Sequence, residues 1–314
     1  MQIVAADDAG YLAPEGEDQS VRPLPSSGAT AREGRVSILY INLERSSDRR
    51  MAMNDQFRAL SLSAARIEAI DGRELSPDQV ARCDQDARRR RRDTALTSNE
   101  IGCFLSHRRA WETIARSGKS TLVLEDDVAL SDDLPDLLRR LSADPPAPHF
   151  IRMGGNRRRR SLFAGELSER YEIRLLLSGC SGSHAYWLTP AGARALLAAS
   201  GRFVEAVDVF LDHYWNSRGI MYAVQPWPVE LRDDASSSTI GDERFRLECS
   251  LRRSETMVAG LMRWCLRQRR SLIRRWWSAK TCVAWSAKHG GRSLKPMGGL
   301  WLRPLSTRRW TRVG

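Results

Sequence analysis

The chain has 314 residues, enough for one large domain or two modest ones with a substantial core. Its formal net charge is +12 at pH 7, but residues 252–314 alone carry +15, from sixteen Lys or Arg and one acidic residue. Because residues 1–34 carry −4 and the middle of the chain is close to neutral, the charge does not indicate a main domain that binds nucleic acid.

Three regions follow one another along the chain. Residues 1–34 are rich in Pro, Gly, Ser and acidic residues and lack apolar periodicity, which predicts a disordered acidic leader. Residues 35–251 alternate short apolar runs with helical patterns and are predicted to form the main folded domain. Residues 252–314 form a basic tail that contains six of the ten tryptophans.

The predicted elements of residues 35–251 alternate between strands and helices. Strands are predicted at 36–43, 66–70, 121–124, 149–153, 183–188 and 221–229, and helices at 49–60, 98–117 and 190–200. Thr97 and Glu100 have the spacing of a capping box, and Gly118 is predicted to end the helix that starts there. Thr189 and Pro190 suit an N-cap and the first helical position. This order predicts an α/β fold with a mainly parallel sheet.

The six cysteines are scattered, without a C-x-x-C or C-x-x-H pair. This spacing argues against a zinc ribbon and a dense disulfide framework, and it is typical of reduced cytosolic thiols. The sequence has no apolar run of about 18 residues and no secretory signal at its start. We therefore expect a cytoplasmic protein.

Three consecutive acids, Glu125, Asp126 and Asp127, directly follow a predicted buried strand. Ligands of open α/β sheets bind beyond the carboxyl ends of strands, and paired carboxylates suit Mg²⁺ or Mn²⁺. In an extended chain Glu125 and Asp127 would point to one side and Asp126 to the other. The alternative is a solvated turn or a helix N-terminus, where acids are also favoured.

The motifs around this triplet occur in a characteristic order. They are YINLERSSDRR (40–50), AIDG (69–72), NEIGCFLSH (99–107), LEDDV (124–128), GSHAYWLT (182–189) and the pair Val207-Asp208. Their order and spacing closely resemble glycosyltransferase family 25, which includes lipooligosaccharide galactosyltransferases and is related to collagen galactosyltransferases. The resemblance covers about residues 36–235.

The resemblance implies a GT-A-like nucleotide-sugar-binding fold, a UDP-sugar donor that is usually UDP-galactose, a divalent cation (Mn²⁺ or Mg²⁺) and inversion at the anomeric carbon. It maps the metal motif onto Glu125, Asp126 and Asp127. The residues that it places at the donor are Asn42, Arg45, Arg49, Asp71, Gly72, Glu100 and His107. Arginines are suited to this role because their forked donors pair with phosphates.

Several of these positions have structural alternatives. Arg45 and Arg49 would otherwise be solvated charges at a helix start. Glu100 and His107 share a helix face, and His107 either orients the carboxylates, contacts the donor or is a hydrogen-bonded structural residue. Cys103 is interpreted as a buried small hydrophobe.

An inverting transfer also needs a base for the acceptor hydroxyl. The candidates are Asp208, Asp212 and His213, and the match to the family motif favours Asp208. Asp208 would otherwise cap the following helix, and His213 would otherwise be a third metal ligand.

Two arginine runs, 88–92 and 157–160, fall in predicted loops. They either bind an anionic acceptor or are solvated charge. The basic tail, with its interleaved arginines and tryptophans, indicates either an anionic membrane surface or a solvated segment. Nucleic acid is a weaker alternative, because no RRM, KH or helix-turn-helix signature is present.

The sequence therefore predicts an inverting, metal-assisted hexosyltransferase that uses a UDP-sugar and acts on lipopolysaccharide or polysaccharide, in the cytoplasm or on the inner face of its membrane. One alternative is a non-catalytic α/β adaptor with a membrane- or nucleic-acid-binding tail. The other is a metal-dependent phosphohydrolase, which the lack of clustered histidines disfavours.

Overall fold

A computed structural model of the protein describes residues 37–90, 93–143, 150–157, 159–213 and 221–232, and the separate positions 268, 271–273, 275, 276 and 279. The predicted leader, 1–34, lies outside the described residues, as does most of the predicted tail, 252–314. No described helix is both long enough and apolar enough to span a bilayer.

The described domain contains ten strands and seven α-helices. The strands are β1 (Ser37–Asn42), β2 (Ala65–Glu68), β3 (Thr121–Glu125), β4 (Val128–Leu130), β5 (Phe150–Arg152), β6 (Ser161–Glu166), β7 (Glu172–Leu176), β8 (Ala185–Leu188), β9 (Met221–Gln225) and β10 (Val229–Leu231). The helices are α1 (Ser47–Ala59), α2 (Pro77–Ala81), α3 (Gln85–Arg90), α4 (Ser98–Ser117), α5 (Leu134–Ala143), α6 (Pro190–Ala199) and α7 (Val207–Asp212).

Eight strands form one sheet in the order β2-β1-β3-β8-β5-β9-β7-β6, and β4 pairs with β10 in a small second sheet. Within the large sheet β8 and β7 run antiparallel to their neighbours, so that six strands share one direction. The prediction of a GT-A-like α/β fold with a mainly parallel sheet is confirmed.

Helices cover both faces of the large sheet. Alternate residues of β1 point to opposite faces, so Leu39 joins one core cluster and Ile38 the other. The first cluster is formed with α4, α6 and α7, and it includes the fully buried Trp111. The second is formed with α1 and α5, through Phe57 and Leu138 among others. This layering explains why the central strands are apolar on both sides.

Helix α4 forms as its end signals predict. The Thr97 hydroxyl accepts from the Glu100 backbone N–H, the Glu100 side chain accepts from the Thr97 N–H, and Gly118 ends the helix with φ of 67°. The helix lies directly against the chain that follows β2, because a Cβ on Gly102 would meet the Ile70 carbonyl oxygen at 2.6 Å. A Cβ on Gly72 would meet the Ser98 carbonyl oxygen at 2.5 Å. Two glycines therefore bring α4 against the sheet edge.

In the second half of the domain one prediction is wrong, and one hairpin is missing from the predictions. The strand expected at 221–229 is two strands in different sheets, because Pro226 and Pro228 lie between them and prolines donate no ladder hydrogen bond. The hairpin of β6 and β7 was not predicted. All residues of β6 are at least partly exposed, so its sequence lacks a clear apolar alternation.

The prediction of a loop for the run 88–92 is also wrong for Arg88–Arg90, because Gln85–Arg90 is helical, and residues 91 and 92 lie outside the described residues. Arg88 is buried, and its guanidinium donates to the backbone carbonyl oxygens of Thr94, at 2.7 Å, and Val204. It holds α3 onto the segment before α7. Arg88 is therefore a structural residue within the arginine run. Because its guanidinium is buried and bound to backbone carbonyl groups, the structure gives no support to acceptor binding by Arg88. Of the second run, Arg157, Arg159 and Arg160 lie outside helices and strands, as predicted.

Candidate active site

A cleft of ≈ 170 Å³ lies at the carboxyl ends of β1 and β3. These strands are parallel neighbours, with Ile41 paired to Glu125, so their ends meet at one edge of the sheet. The other walls are the start of α1, the chain after β2 and one face of α4. Of the eleven residues predicted for the site, seven line this cleft: Arg45, Arg49, Gly72, His107, Glu125, Asp126 and Asp127.

The acidic triplet runs from the end of a strand into a turn and is therefore not extended throughout. Glu125 is the last residue of β3, and Asp126 and Asp127 form the turn that leads into β4. The expected alternation of sides is therefore wrong, and all three carboxylates line the same cleft. The turn is anchored at both ends, by hydrogen bonds from the Glu125 N–H to the His184 carbonyl and from the Arg232 N–H to the Asp127 carbonyl.

Glu125 is held by hydrogen bonds to one of its carboxylate oxygens. Its Oε1 lies 3.3 Å from His107 Nε2 and accepts from the Ser183 hydroxyl at 2.5 Å. Burial alone would raise the pKa of Glu125, but His107 and Ser183 outweigh it and lower that pKa to about 2. Glu125 is therefore a carboxylate at neutral pH.

Asp126 is fixed by the first motif. Its Oδ2 accepts from Asn42 Nδ2 at 2.7 Å, and its Oδ1 accepts from Arg49 at 3.1 Å. Asn42 is 1 % exposed and also donates to the Ser46 carbonyl. Asn42 therefore lies behind the cleft wall, where it positions a carboxylate.

Asp127 differs from its neighbours because its buried Oδ1 has no hydrogen-bond partner among the described residues. Burial, followed by the negative charge of Glu125, raises the pKa of Asp127 to about 7, against the lowering effect of Arg49 at 3.7 Å. A buried, unsatisfied carboxylate oxygen is unfavourable unless a cation satisfies it. Three carboxylates at one turn are the oxygen ligands that Mg²⁺ and Mn²⁺ take. Glu125, Asp126 and Asp127 therefore fit a divalent cation.

Two arginines place positive charge beside the acids. Arg49 contacts Asp126 and Asp127, and Arg45 forms an ion pair with Asp71 at the start of the turn after β2. Asp71 does not line the cleft; it accepts from the Arg73 backbone N–H and pairs with the Arg73 side chain. Both cleft arginines have side chains 41 % exposed, so their guanidinium groups are accessible to an anionic ligand.

One face of α4 supplies the remaining polar wall. Asn99, Cys103, Ser106 and His107 line the cleft and share that face at helical spacing. Cys103 is partly buried and packs against the first core cluster while it also lines the cleft, so its interpretation as a buried small hydrophobe is correct only in part. Asn99 and Ser106 were missed, although their spacing from His107 was a readable signal. Glu100 turns away into the cap of the helix, since its Oε2 accepts from the Thr97 N–H at 2.9 Å.

His107 is both a structural and an orienting residue. Its ring is fully buried, with Nδ1 at 2.9 Å from the Tyr186 hydroxyl and Nε2 towards Glu125. Trp111 Nε1–H donates to the same hydroxyl at 2.8 Å. A chain of buried hydrogen bonds therefore leads from the core to Glu125. Tyr186 and Ser183 were missed because their contacts depend on the antiparallel pairing of β8 with β3.

The three candidate bases lie on or next to α7. Asp208 is in the first turn, but the N-cap is Ala206 and no side chain caps the helix, so Asp208 does not act as the cap. Asp208 does not line the cleft, but its negative charge is one of the causes, after burial and Glu125, that raise the pKa of the Cys103 thiol. Asp212 instead pairs with the buried Arg152 at 2.8 Å. His213 lies 2.6 Å from Glu205 and is not part of the cleft wall.

Comparison with known proteins identifies the same region. A sequence model described as glycosyltransferase family 25 (LPS biosynthesis protein) matches residues 36–211. Among similar proteins, the inactive glycosyltransferase 25 family member 3 of Mus musculus is 28 % identical over 221 residues, which is 64 % of this chain and 36 % of the mouse protein. Procollagen galactosyltransferase 2 of Mus musculus is 37 % identical over 112 residues, 34 % of this chain and 18 % of that protein.

A third relative, a glycosyltransferase 25 family member of Aedes aegypti, is 40 % identical over 102 residues, 30 % of this chain and 16 % of the mosquito protein. The chain thus spans about a third of the length of the relatives that it matches most extensively. The matched residues 36–211 include all the motifs that line the cleft, and they make up more than half of the chain. The chain belongs to glycosyltransferase family 25.

Proposed function

We propose that the protein is an active hexosyltransferase, which moves a sugar from a UDP-sugar donor to a glycan acceptor with the help of Mn²⁺ or Mg²⁺. The observation that carries this proposal is the unsatisfied, buried Oδ1 of Asp127, in a cleft with two further carboxylates and two accessible arginines. The carboxylates suit a divalent cation, and the neighbouring arginines suit phosphate oxygens. Together they are complementary to a nucleoside diphosphate that is bound with a metal ion.

The residues have separate roles in this proposal. Glu125, Asp126 and Asp127 would hold the cation, which would supply positive charge to neutralise the leaving diphosphate. Arg45 and Arg49 pair with phosphate oxygens and fix the donor at the strand ends. Asn42, His107 and Ser183 hold the carboxylates in place. Carboxylates with fixed positions hold the bound ligand in the geometry that reacts.

Asp208 takes the proton of the acceptor hydroxyl in this scheme. The hydroxyl oxygen forms a bond to the anomeric carbon on the face opposite the diphosphate, the bond from that carbon to the diphosphate oxygen breaks, and the configuration inverts. Asp208 is favoured over Asp212 and His213 because it belongs to the family motif pair Val207-Asp208 and because its charge acts on Cys103 in the cleft wall.

The proposals for the acceptor and for the sugar are supported only by the descriptions of similar proteins. The description of the family model as an LPS biosynthesis protein supports lipopolysaccharide or a related bacterial surface glycan as the acceptor. The name of the mouse procollagen galactosyltransferase 2 supports galactose as the sugar. Relatives named inactive make turnover itself a question for experiment, and the complete set of cleft carboxylates in this chain supports activity.

Donor binding tests the proposal directly. A ligand that binds only the folded protein raises its melting temperature, so UDP-galactose is expected to raise it when Mn²⁺ is present and not when Mn²⁺ is absent. UDP-glucose and UMP serve as rival ligands. The double variant Glu125→Ala/Asp127→Ala is expected to lose the shift, whereas the matched control Asp132→Ala/Asp136→Ala, outside the cleft, is expected to keep it. The absence of a shift with every nucleotide sugar would favour the adaptor function.

We further propose that the basic tail attaches the enzyme to an anionic membrane surface on the cytoplasmic side. Its net charge of +15 and the exposed Leu272, Ile273 and Trp276 supply both of the attractions that an interfacial segment needs. The full chain is expected to float with phosphatidylglycerol vesicles and not with phosphatidylcholine vesicles. Deletion of residues 252–314 is expected to abolish flotation, and undiminished binding after this deletion would remove the tail from the proposal.

A further inference from the structure

Three side chains of different chemistry meet on the α4 side of the cleft. Cys103 Sγ, a ring nitrogen of His107 and a carboxylate oxygen of Glu125 all lie within 4.8 Å of one another. Cys103 and His107 are four residues apart on α4, so they project from one face of the helix. All three line the cleft, which leaves room for a further ligand on its open side.

The spacing of the three side chains suits a cation with tetrahedral coordination. Nitrogen and oxygen ligands bound to zinc at about 2.0–2.1 Å with tetrahedral angles lie about 3.3 Å apart. His107 Nε2 and Glu125 Oε1 are 3.3 Å apart in the structure. A cation between them would replace their hydrogen bond without moving either side chain far, and a small shift of Cys103 would supply the longer bond to sulfur, about 2.3 Å.

The surrounding hydrogen bonds present the correct atoms. Tyr186 engages His107 Nδ1 at 2.9 Å, so Nε2 is the nitrogen that faces the cation. Histidine ligands of metals commonly have their second nitrogen hydrogen-bonded in this way, which fixes the ring. Ser183 likewise donates to the Glu125 carboxylate.

We propose that Cys103, His107 and Glu125 form a second cation site, which prefers Zn²⁺ or Co²⁺ to Mn²⁺ and Mg²⁺. Sulfur and imidazole ligands favour the former pair, whereas the all-oxygen set of the acidic turn favours the latter. As the bond to sulfur forms, the thiol proton leaves to solvent, and the neutral imidazole carries its hydrogen on Nδ1, towards Tyr186. Because both sites use Glu125, Zn²⁺ competes with Mn²⁺; this competition rests on the proposed function, but the Zn²⁺ site itself does not.

Cobalt provides the test, because Co²⁺ bound to a thiolate has a sulfur-to-metal charge-transfer absorption that oxygen and nitrogen ligands alone do not give. The full chain titrated with Co²⁺ is expected to develop this band, and Zn²⁺ is expected to remove it. Cys103→Ser should lose the band and bind Zn²⁺ at least about tenfold more weakly. The matched control Cys180→Ser, which changes a buried thiol outside the cleft, should retain it. A band that survives in Cys103→Ser, or no band in the unaltered chain, would overturn the site.

A second measurement on the unaltered chain does not depend on the folding of a variant. Zn²⁺ is expected to slow alkylation of Cys103, followed by mass spectrometry of the peptide that contains it, whereas Mn²⁺ is not. Equal alkylation rates with and without Zn²⁺ would contradict the proposal. Neither readout requires a sugar donor, so a failure of UDP-sugar binding and a failure of Zn²⁺ binding are distinguishable.

Discussion

The Asp127→Asn variant is expected to melt at a higher temperature than the unaltered protein at pH 8 without metal, and to lose the response to Mn²⁺. Folding raises the pKa of Asp127 from 3.8 to about 7, so the folded protein holds this proton more tightly than the unfolded chain. The resulting stability is fully present below about pH 4 and is lost as the pH rises towards 7. Asn carries no charge and avoids this loss.

The same variant is expected to reduce sugar transfer at least about 100-fold, because a catalytic cation contributes several kcal/mol to charge stabilisation in the transition state. Melting curves at pH 5 and pH 8, with and without Mn²⁺, separate the two effects. Asp132→Asn makes the same chemical change at an exposed position nearby and should alter neither the melting curve nor the metal response. A Mn²⁺-dependent shift that persists in Asp127→Asn would show that the cation, if it binds, does not need this carboxylate.

The Arg152→Met variant is expected to lose about 3–5 kcal/mol of unfolding free energy, the range found when one partner of a buried ion pair is removed. Arg152 is fully buried in β5 and donates to the Asp212 carboxylate and to the Gly182 carbonyl oxygen. Methionine fills similar volume but leaves both acceptors unpaired. Asp212 also accepts from the Ser181 N–H, so the loop that carries Ser183 towards Glu125 depends on the same pair.

Urea unfolding of Arg152→Met beside Arg140→Met measures this effect. Arg140 pairs with Asp136 on an exposed face of α5, and the loss of such a pair is expected to cost less than about 0.5 kcal/mol. Equal stability of the two variants would mean that the Arg152–Asp212 pair contributes no more than a surface ion pair. We also expect the Arg152 variant to weaken Mn²⁺ binding, through displacement of Ser183.

The parts of the structure that were predictable from sequence are those whose determinants are local. The two ends of α4 follow from Thr97, Glu100 and Gly118, and the cleft follows from the rule that polar residues after parallel strands converge. The prediction for Arg88 was wrong because the local sequence does not indicate which distant backbone carbonyl groups its guanidinium binds. Its partner Val204 is 116 residues away.

The site itself divides in the same way. The seven cleft residues that were predicted belong to motifs that lie at strand ends or on α4. Asn42 is predicted to contact the donor, whereas in the structure it lies behind the cleft wall, because it is hydrogen-bonded to Asp126, 84 positions away. Tyr186 lies on the antiparallel strand β8 and Ser183 on the loop before it, and no local pattern indicates that this strand lies beside β3. Asn99 and Ser106 differ from these residues, because their helical spacing from His107 on α4 is local and could have been used to predict them.

The approach of α4 to the chain after β2 has a consequence for how the cleft tolerates change. Gly72 and Gly102 meet backbone atoms of the opposite segment at distances where a methyl group has no space. The absence of a side chain at both positions therefore sets the width of the cleft. One added carbon at either position would push Cys103, Ser106 and His107 outwards together. A substitution of a residue whose own side chain makes no contact in the cleft would then displace all three of these side chains at once.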